Sequence, residues 1–216
     1  ASELSAIGGA TTGTVTVTNA VAISGTTDEV TAALVTAGTL VEVTDAAVTI
    51  SDTPTIAELN AIAAKTTGVV TATLAANSLA NLADLTTAGT DAITITVNDA
   101  DAAALTAANL SSLGGKTAGT VTVTNAVAIT GDHDQVTAAL VTADTKVEVS
   151  DATVTINDAD GVAITAAELS AIGEATTGTV TVTNAVAITG SASEATAALV
   201  TAGTLVDVSD ATVTIN

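Results

Sequence analysis

The chain alternates two hydrophobic patterns, one with the period of a strand and one with the period of a helix. Over residues 14–18 apolar Val alternates with Thr, which predicts a strand with one buried and one solvated face. A polar Asn19 interrupts this run, and a second short extended run follows with Val21 and Ile23. We interpret Asn19 as a bend between two strand segments. A two-residue hairpin is the weaker alternative, because Asn-Ala lacks the Gly that primed turns favour.

Each strand region is followed by a segment with helical periodicity. Apolar residues recur there every three or four positions, as in Val30, Ala33 and Leu34, which predicts a short helix with a narrow apolar stripe. The helix starts have capping-box spacing, in which Ser, Thr or Asp is followed three residues later by Glu, Gln or Asn. The pairs are Thr26 and Glu29, Thr55 and Glu58, Ser78 and Asn81, Thr106 and Asn109, Asp132 and Gln135, Thr165 and Glu168, and Ser191 and Glu194. Left-handed glycines are expected to end most helices, at Gly13, Gly38, Gly68, Gly89, Gly119, Gly178 and Gly203.

The two patterns recur together as one strand-and-helix repeat, written about eight times. The segment GTVTVTNAVAI occupies residues 13–23, 119–129 and 178–188 without change. A sister segment, LVEVTDAAVTI at residues 40–50, returns with small changes at 146–156 and 205–215. The repeats run approximately over residues 1–24, 25–51, 52–76, 77–100, 101–130, 131–157, 158–189 and 190–216. Repetition at this period is typical of a single elongated array.

We therefore predict an α/β solenoid of about eight strand–helix repeats. Strands that alternate with helices favour parallel pairing through right-handed crossovers. Crossovers that all advance in one direction place every helix on one face of a single continuous parallel sheet, as in leucine-rich-repeat architecture. The residues expected to face the helices are Val15, Val17, Val121, Val123, Val180 and Val182.

Composition and charge narrow the classes of partner. The chain has 23 acidic residues against 3 Lys and no Arg, a formal charge of −20, and no aromatic residue, Met or Cys. Such a chain repels nucleic acid and anionic membranes and offers bases no stacking platform, so we predict no nucleic-acid partner. Its apolar runs fall far short of the roughly 18 residues of a membrane helix, so we predict no membrane insertion. Side chains poor in nitrogen and sulfur suit a protein made in bulk and exported, which predicts an extracellular or cell-surface location.

Acidic residues cluster where strands give way to helices. The clustered residues are Asp99 and Asp101, Asp132 and Asp134, and Asp158 and Asp160. Oxygen-only clusters suit a hard cation, so we predict Ca²⁺ as an optional ligand of these residues, with no cofactor required. The alternative is that these acids are solvated turn and helix-cap residues. His133 is expected to be an exposed loop residue and neither a zinc ligand nor a catalytic group.

Alternation places two columns of mostly hydroxylated residues on the solvent face of the predicted strands. The first column is Thr18, Thr44, Thr73, Thr96, Thr124, Ser150, Thr183 and Ser209. The second is Thr16, Glu42, Thr71, Thr94, Thr122, Glu148, Thr181 and Asp207. Paired Thr columns resemble the binding face of ice-binding solenoids, which makes an ice- or mineral-surface binder the alternative function. The simpler interpretation is that β-branched Thr is favoured at solvated strand positions.

Chemistry and resemblance both favour a structural role. No Ser/His/Asp set, phosphate loop or paired-carboxylate cleft is recognisable, so we do not expect an enzyme. The segments ITAAELSAIG from Ile164, TGTVTVTNAVAI from Thr177 and VSDATVTINDADG from Val149 resemble repeats of very large surface or secreted proteins of marine cyanobacteria. That resemblance covers nearly the whole chain and implies an extracellular structural or adhesive role as stalk, filament or coat. It supplies no site residues.

Neither end of the sequence has a recognisable capping segment. The sequence starts inside the ELSAIG helix that recurs at residues 168–173, and it stops at Asn216, where the equivalent Asn157 runs on into Asp158. We therefore expect either head-to-tail self-association or continuation of a longer array.

Overall fold

The computed structural model describes residues 1–145, 147–204 and 206–216. Lys146 and Leu205, which open two of the sister segments, lie outside the described residues. The described residues contain eight helices, and each helix after the first follows a strand region, as the periodicity predicted. The helices are α1 (Ser2–Gly9), α2 (Thr27–Leu34), α3 (Ile56–Ala63), α4 (Leu79–Leu82), α5 (Ala107–Gly114), α6 (His133–Leu140), α7 (Ala166–Glu174) and α8 (Ala192–Leu199). None of them combines the length and apolarity needed to span a bilayer.

Capping boxes fix where most of these helices begin. In a complete box the cap side chain accepts the N–H of the third helical residue, whose side chain accepts the N–H of the cap. Complete boxes stand at Thr26, Thr55, Asp132, Thr165 and Ser191. At Thr106 the cap accepts the Asn109 N–H only. The predicted helix starts are thus confirmed at these six positions.

The strands are short, and their described pairings are all parallel. The antiparallel hairpin considered at Asn19 is therefore excluded for the described residues. The strands are β1 (Val15–Thr16), β2 (Ala22–Gly25), β3 (Val41–Glu42), β4 (Ala47–Ile50), β5 (Val70–Thr73), β6 (Ala92–Val97), β7 (Ala104–Thr106), β8 (Val121–Val123), β9 (Ala128–Gly131), β10 (Thr153–Ile156), β11 (Ala163–Thr165), β12 (Val180–Val182), β13 (Ala187–Gly190), β14 (Val206–Val208) and β15 (Thr212–Ile215).

The chain divides into two compact units. The first comprises residues 1–76, 80–96 and 116–120. In it β1 pairs with β3, while β2, β4, β5 and β6 follow one another in a second sheet. Helices α1, α2 and α3 pack in succession on this unit.

The second compact unit comprises residues 77–79, 97–115 and 121–216. Its larger sheet has the order β14-β12-β10-β9-β7, and its smaller sheet has the order β11-β13-β15. Helices α5, α6, α7 and α8 pack against one another in sequence order. A parallel bridge joins Thr122 of β8 to Glu148.

The prediction of one continuous sheet is wrong, since the strands divide among several sheets. The reason is that the strand segment that joins a given sheet changes between certain consecutive repeats. The second segment of repeat 2, β4, lies between β2 and the first segment of repeat 3, β5. In the second compact unit β10 lies between β9 and β12 in the same manner. At these two places the second strand segment of one repeat pairs with the first strand segment of the next. Simple stacking would instead pair first segments with first segments.

The core is built from the predicted Val, Leu, Ile and Ala positions. Val121, Val123, Val180 and Val182 are at most 2% exposed, as expected for residues that face the helices. Val15 and Val17 are only half-buried.

The glycines do not form the left-handed helix ends that the sequence predicted, and several of them instead allow close packing. Among the described glycines only Gly161 has a positive φ, 78°. A Cβ on Gly114 would lie 2.1 Å from the Thr145 carbonyl oxygen, and one on Gly173 would lie 2.3 Å from that of Thr204. These glycines therefore let the loop after the next helix press against the last turn of the preceding one.

Candidate functional site

Two equivalent acidic loops lie in the second compact unit. They occupy residues 98–103 and 157–162, 59 positions apart in sequence. In each loop one residue is left-handed, Ala102 with φ 60° and Gly161 with φ 78°. The N–H of Ala102 donates to the Ala126 carbonyl and that of Gly161 to the Ala185 carbonyl, both at 2.7 Å. The two loops are therefore copies of one backbone structure.

Aspartates in these loops accept hydrogen bonds from backbone groups 20 to 25 residues away in sequence. Asp99 Oδ2 accepts the Leu79 N–H at 2.7 Å, which places it at the start of α4. Asp101 accepts the Ala126 N–H at 3.2 Å, and Asp160 accepts the Ala185 N–H at 3.1 Å. These contacts match the alternative interpretation of the acids as turn and helix-cap residues.

Asparagines at the predicted bends hold the same loops from 26 residues further along the chain. The side-chain amide of Asn125 donates to the Asp99 carbonyl, and that of Asn184 donates to the Asp158 carbonyl, both at 2.6 Å. Each loop is thus fixed on one side by its carboxylates and on the other by an amide.

His133 is not the exposed loop residue that the sequence predicted. It is the first residue of α6, and its side chain is 13% exposed. Its main-chain N–H donates to Asp158 Oδ2 at 2.8 Å, and Nδ1 lies 2.7 Å from Asp158 Oδ1. Asp158, itself 6% exposed, thus bonds both the start of α6 and its imidazole. Sequence reasoning missed this pair, because nothing local relates residues 25 positions apart.

The other aspartates near His133 have separate roles. Asp132 caps α6 by accepting the Gln135 N–H at 2.8 Å. Asp134 has an 87% exposed side chain and lies 3.5 Å from Nε2 of His133. Through His133 the structure brings residues 132–134 against the 157–162 loop, although sequence analysis treated them as separate clusters. Within the described residues no group of three or more Asp, Glu or His is arranged to hold a metal ion.

The electrostatics of this region follow from these bonds. Burial lowers the pKa of His133, but the hydrogen bond and charge of Asp158, together with Asp134 and Glu168, outweigh it and raise the pKa above its ordinary value. The hydrogen bonds from the Thr165 backbone and hydroxyl lower the pKa of Glu168. The site therefore combines capping carboxylates with an imidazole whose protonated form they favour.

The threonine face is solvent-facing as predicted. In the first column seven of the eight hydroxylated residues are exposed and Thr96 is half-buried. In the second column Thr122 and Thr181 are half-buried and the others are exposed. The face therefore offers hydroxyls to solvent, with Glu42, Glu148 and Asp207 among them.

The register within this face departs from the sequence alignment. Thr16 pairs with Glu42, and Thr181 pairs with Asp207, as the columns predicted. Thr73, however, pairs with Thr94 and not with Thr96. The columns are consequently broken by a two-residue shift and by the change of strand segment at β4 and β10.

A second recurrent structure is the junction formed by Thr-Thr-Gly segments. The Thr66 hydroxyl donates to the Ala46 carbonyl at 2.6 Å, and the Thr176 hydroxyl donates to the Ala152 carbonyl at 2.7 Å. A Cβ on Gly178 would lie 2.2 Å from that same Ala152 oxygen. Sequence analysis assigned these glycines to helix ends. The recurrence of Thr-Thr-Gly at 11–13, 66–68 and 176–178 was the signal that could have identified them.

Comparisons with protein-family models, curated proteins and solved structures find no match to this chain.

Proposed function

We propose that this chain is a structural repeat module outside the cell, a segment of a stalk, filament, surface layer or adhesin built as an α/β solenoid. The supporting observation is the junction just described. It joins repeat 2 to repeat 3 in the first compact unit and repeat 6 to repeat 7 in the second, with the same donors and acceptors. Each repeat thus has some of its hydrogen bonds supplied by its neighbour, as expected in a solenoid, where a repeat contacts only the adjacent repeats.

The chemistry of the surface supports the same proposal. Repetition produces many copies of one surface, whereas a catalytic site needs one repeat with different chemistry. The acids of the two acidic loops, residues 98–103 and 157–162, bond backbone groups. The charge of −20 keeps such an array soluble and separate from nucleic acid and anionic lipid. The scarcity of Lys and the lack of Arg leave few bonds for trypsin-like proteases, which favours survival outside the cell.

Immunolabelling tests the location and the role together. Antibodies raised against the purified chain should label intact, unpermeabilised cells of the source organism and decorate extended structures in electron micrographs. Labelling that appears only after permeabilisation would contradict the proposal.

Binding to ice or a mineral surface through the Thr columns is the second candidate. The exposed first column of Thr and Ser favours it. The carboxylates Glu42, Glu148 and Asp207 and the shifted register of Thr73 oppose it, because adsorption to a lattice needs a regular and weakly charged array.

A further inference from the structure

Apolar side chains of the first and last repeats are exposed where their internal equivalents are buried. Ile7 is 53% exposed, whereas its equivalent Ile172 is fully buried. Val213 and Ile215 are 41% and 53% exposed, and their equivalents are Val154 and Ile156, at most 1% exposed. These two surfaces have the composition of a core interface but are only partly covered, β15 by β13 and α8, and α1 by α2 and β3.

The internal equivalents of these surfaces cover each other at the junction of repeats 6 and 7. There β10 pairs with β12 in the register Val154 with Val180, Thr155 with Thr181 and Ile156 with Val182. The Thr177 N–H and hydroxyl both donate to the Ser150 carbonyl, at 2.9 and 2.8 Å. The Thr176 hydroxyl donates to the Ala152 carbonyl.

The junction of repeats 2 and 3 repeats this arrangement in the first compact unit. Val48 pairs with Val70, and the Thr67 N–H and hydroxyl donate to the Thr44 carbonyl at 2.8 and 2.9 Å. A Cβ on Gly68 would lie 2.4 Å from the Ala46 oxygen, the acceptor of Thr66. Two independent copies therefore define the junction.

The two halves of this junction occur again at the two exposed surfaces, where they are not paired with each other. Residues 11–17 read TTGTVTV, identical to residues 176–182, and residues 209–215 read SDATVTI, identical to residues 150–156. In the first repeat the Thr11 hydroxyl accepts the Gly13 N–H, and Thr11 is exposed. The donor half thus lies on the first repeat and the acceptor half on the last.

We propose that residues 11–17 of one copy dock on residues 209–215 of a second copy in the geometry of the junction between repeats 6 and 7. By equivalence Val213 pairs with Val15 of the second copy, Thr214 with Thr16, and Ile215 with Val17. The Thr11 hydroxyl donates to the Ala211 carbonyl, and the Thr12 hydroxyl donates to that of Ser209. This docking rests on the proposed structural role and specifies its self-association. Because the contact is heterologous, it propagates into a chain of copies.

Charge sets the conditions for this association. Two copies of charge −20 repel each other, and the last repeat adds Asp207 and Asp210 close to the docking strand. At about 0.15 M salt the Debye length is about 8 Å, so most of this repulsion is screened while the apolar contact is kept. We therefore expect association to strengthen with added NaCl.

A Gly substitution separates docking from folding. A Cβ on Gly13 would lie 3.4 Å from the Thr11 hydroxyl oxygen, an ordinary contact, whereas at the equivalent Gly178 it would meet a carbonyl oxygen at 2.2 Å. Gly13→Ala should keep the wild-type circular dichroism and melting temperature and weaken association about tenfold or more in sedimentation equilibrium. Gly38→Ala is the matched control, since a Cβ there meets nothing within 4 Å.

Either of two sedimentation results would overturn the docking proposal: a wild-type chain that stays monomeric at about millimolar concentration in 0.5 M NaCl, or a folded Gly13→Ala variant that associates as the wild type does. Neither result concerns the location of the protein, which cell-surface labelling tests separately.

Cysteine pairing tests the register, since the chain has no native Cys. Thr16 and Thr214 are both exposed, and paired positions of adjacent strands are within the Cα separation that a disulfide spans. Mixed Thr16→Cys and Thr214→Cys variants should form a mixed disulfide on mild oxidation. Thr18→Cys with Thr214→Cys, two residues out of register, should form at least about tenfold less. Equal yields from the two mixtures would contradict the proposed register.

Discussion

Asp158 bonds His133 twice, accepting its main-chain N–H at 2.8 Å and facing Nδ1 of its imidazole at 2.7 Å. One buried carboxylate therefore caps α6 and pairs with the chain's single imidazole. Asp52 makes the corresponding contact in the first compact unit, where it accepts both the N–H and the hydroxyl of Thr27. The capping of a helix by the following repeat is thus a recurrent device, and His133 adds a titratable group to it.

The raised pKa of His133 makes stability depend on pH. The protonated imidazole favours the folded chain, fully so below about pH 6.5, the ordinary pKa of His in an unfolded chain. This contribution is lost as the pH rises through the higher pKa of the folded chain. Urea unfolding should therefore show a falling free energy of unfolding across this window in the wild type. In His133→Gln the dependence should vanish, and an unchanged slope in that variant would contradict the assignment.

Opposite effects on stability are expected for two substitutions at equivalent positions of the two acidic loops. Ala102 adopts φ 60°, which costs a residue with a Cβ about 1 kcal/mol, whereas Gly161 adopts φ 78° freely. Ala102→Gly should raise the free energy of unfolding by about 0.5 kcal/mol, since the gain is offset by the greater entropy of the unfolded chain. Gly161→Ala should lower it by about 1 kcal/mol. Chemical denaturation of both variants measures the pair. Destabilisation by Ala102→Gly would show that its loop is not strained.

Adjacent glycines at the end of α5 predict a contrast in packing. A Cβ on Gly114 would lie 2.1 Å from the Thr145 carbonyl oxygen, while one on Gly115 would have no neighbour nearer than 3.5 Å. Gly114→Ala should therefore lower the free energy of unfolding by about 3 kcal/mol or more, because the loop must move. Gly115→Ala, with φ −68°, should be neutral or stabilising. Equal melting temperatures for the two variants would exclude the close approach.

A calcium titration decides between the two interpretations of the acidic clusters, as Ca²⁺ ligands or as turn and helix-cap residues. Five of the clustered aspartates already accept a hydrogen bond from a backbone N–H through a carboxylate oxygen: Asp99, Asp101, Asp132, Asp158 and Asp160. We therefore expect CaCl₂ to raise the melting temperature no more than NaCl of equal ionic strength does. A specific rise at millimolar Ca²⁺ that Asp99→Asn and Asp158→Asn abolish would instead establish the site, because a ligand that binds only the folded state stabilises it by mass action.

Ice adsorption is predicted to be absent. The carboxylates Glu42, Glu148 and Asp207 order their own hydration, and the shift that pairs Thr73 with Thr94 breaks the column. A nanolitre osmometer should show no thermal hysteresis and no faceting of ice crystals. Faceting by the purified chain that is lost when Thr122 and Thr124 are replaced by bulky residues would reverse the ranking of the two functions.

Local signals in the sequence were sufficient for the elements of the fold. The boxes at Thr26, Thr55 and Thr165 fix helix starts through contacts three residues apart, and alternation around Val121 and Val180 fixes the buried strand face. Both signals act within a few residues, so a single sequence contains them completely.

Contacts between repeats could not be derived in the same way. The position of β4 between β2 and β5 depends on which neighbouring strand pairs with each edge of β4. No residue of β4 itself determines that choice. The pair of His133 with Asp158 depends on the lengths of intervening segments. The packing role of Gly178 was assigned to helix termination, because a missing Cβ serves a left-handed residue and a close approach equally well.

Small-angle scattering of an array lengthened by one sequence period tests the solenoid proposal most directly. A second copy of residues 119–177 inserted after Thr177 preserves the Thr-Gly junction and adds two repeats. With strands about 4.8 Å apart, the maximum dimension should grow by roughly 10 Å while the radius of gyration of the cross-section stays constant. Growth of the cross-section, or loss of the folded state in the lengthened chain, would contradict a structural array of interchangeable repeats.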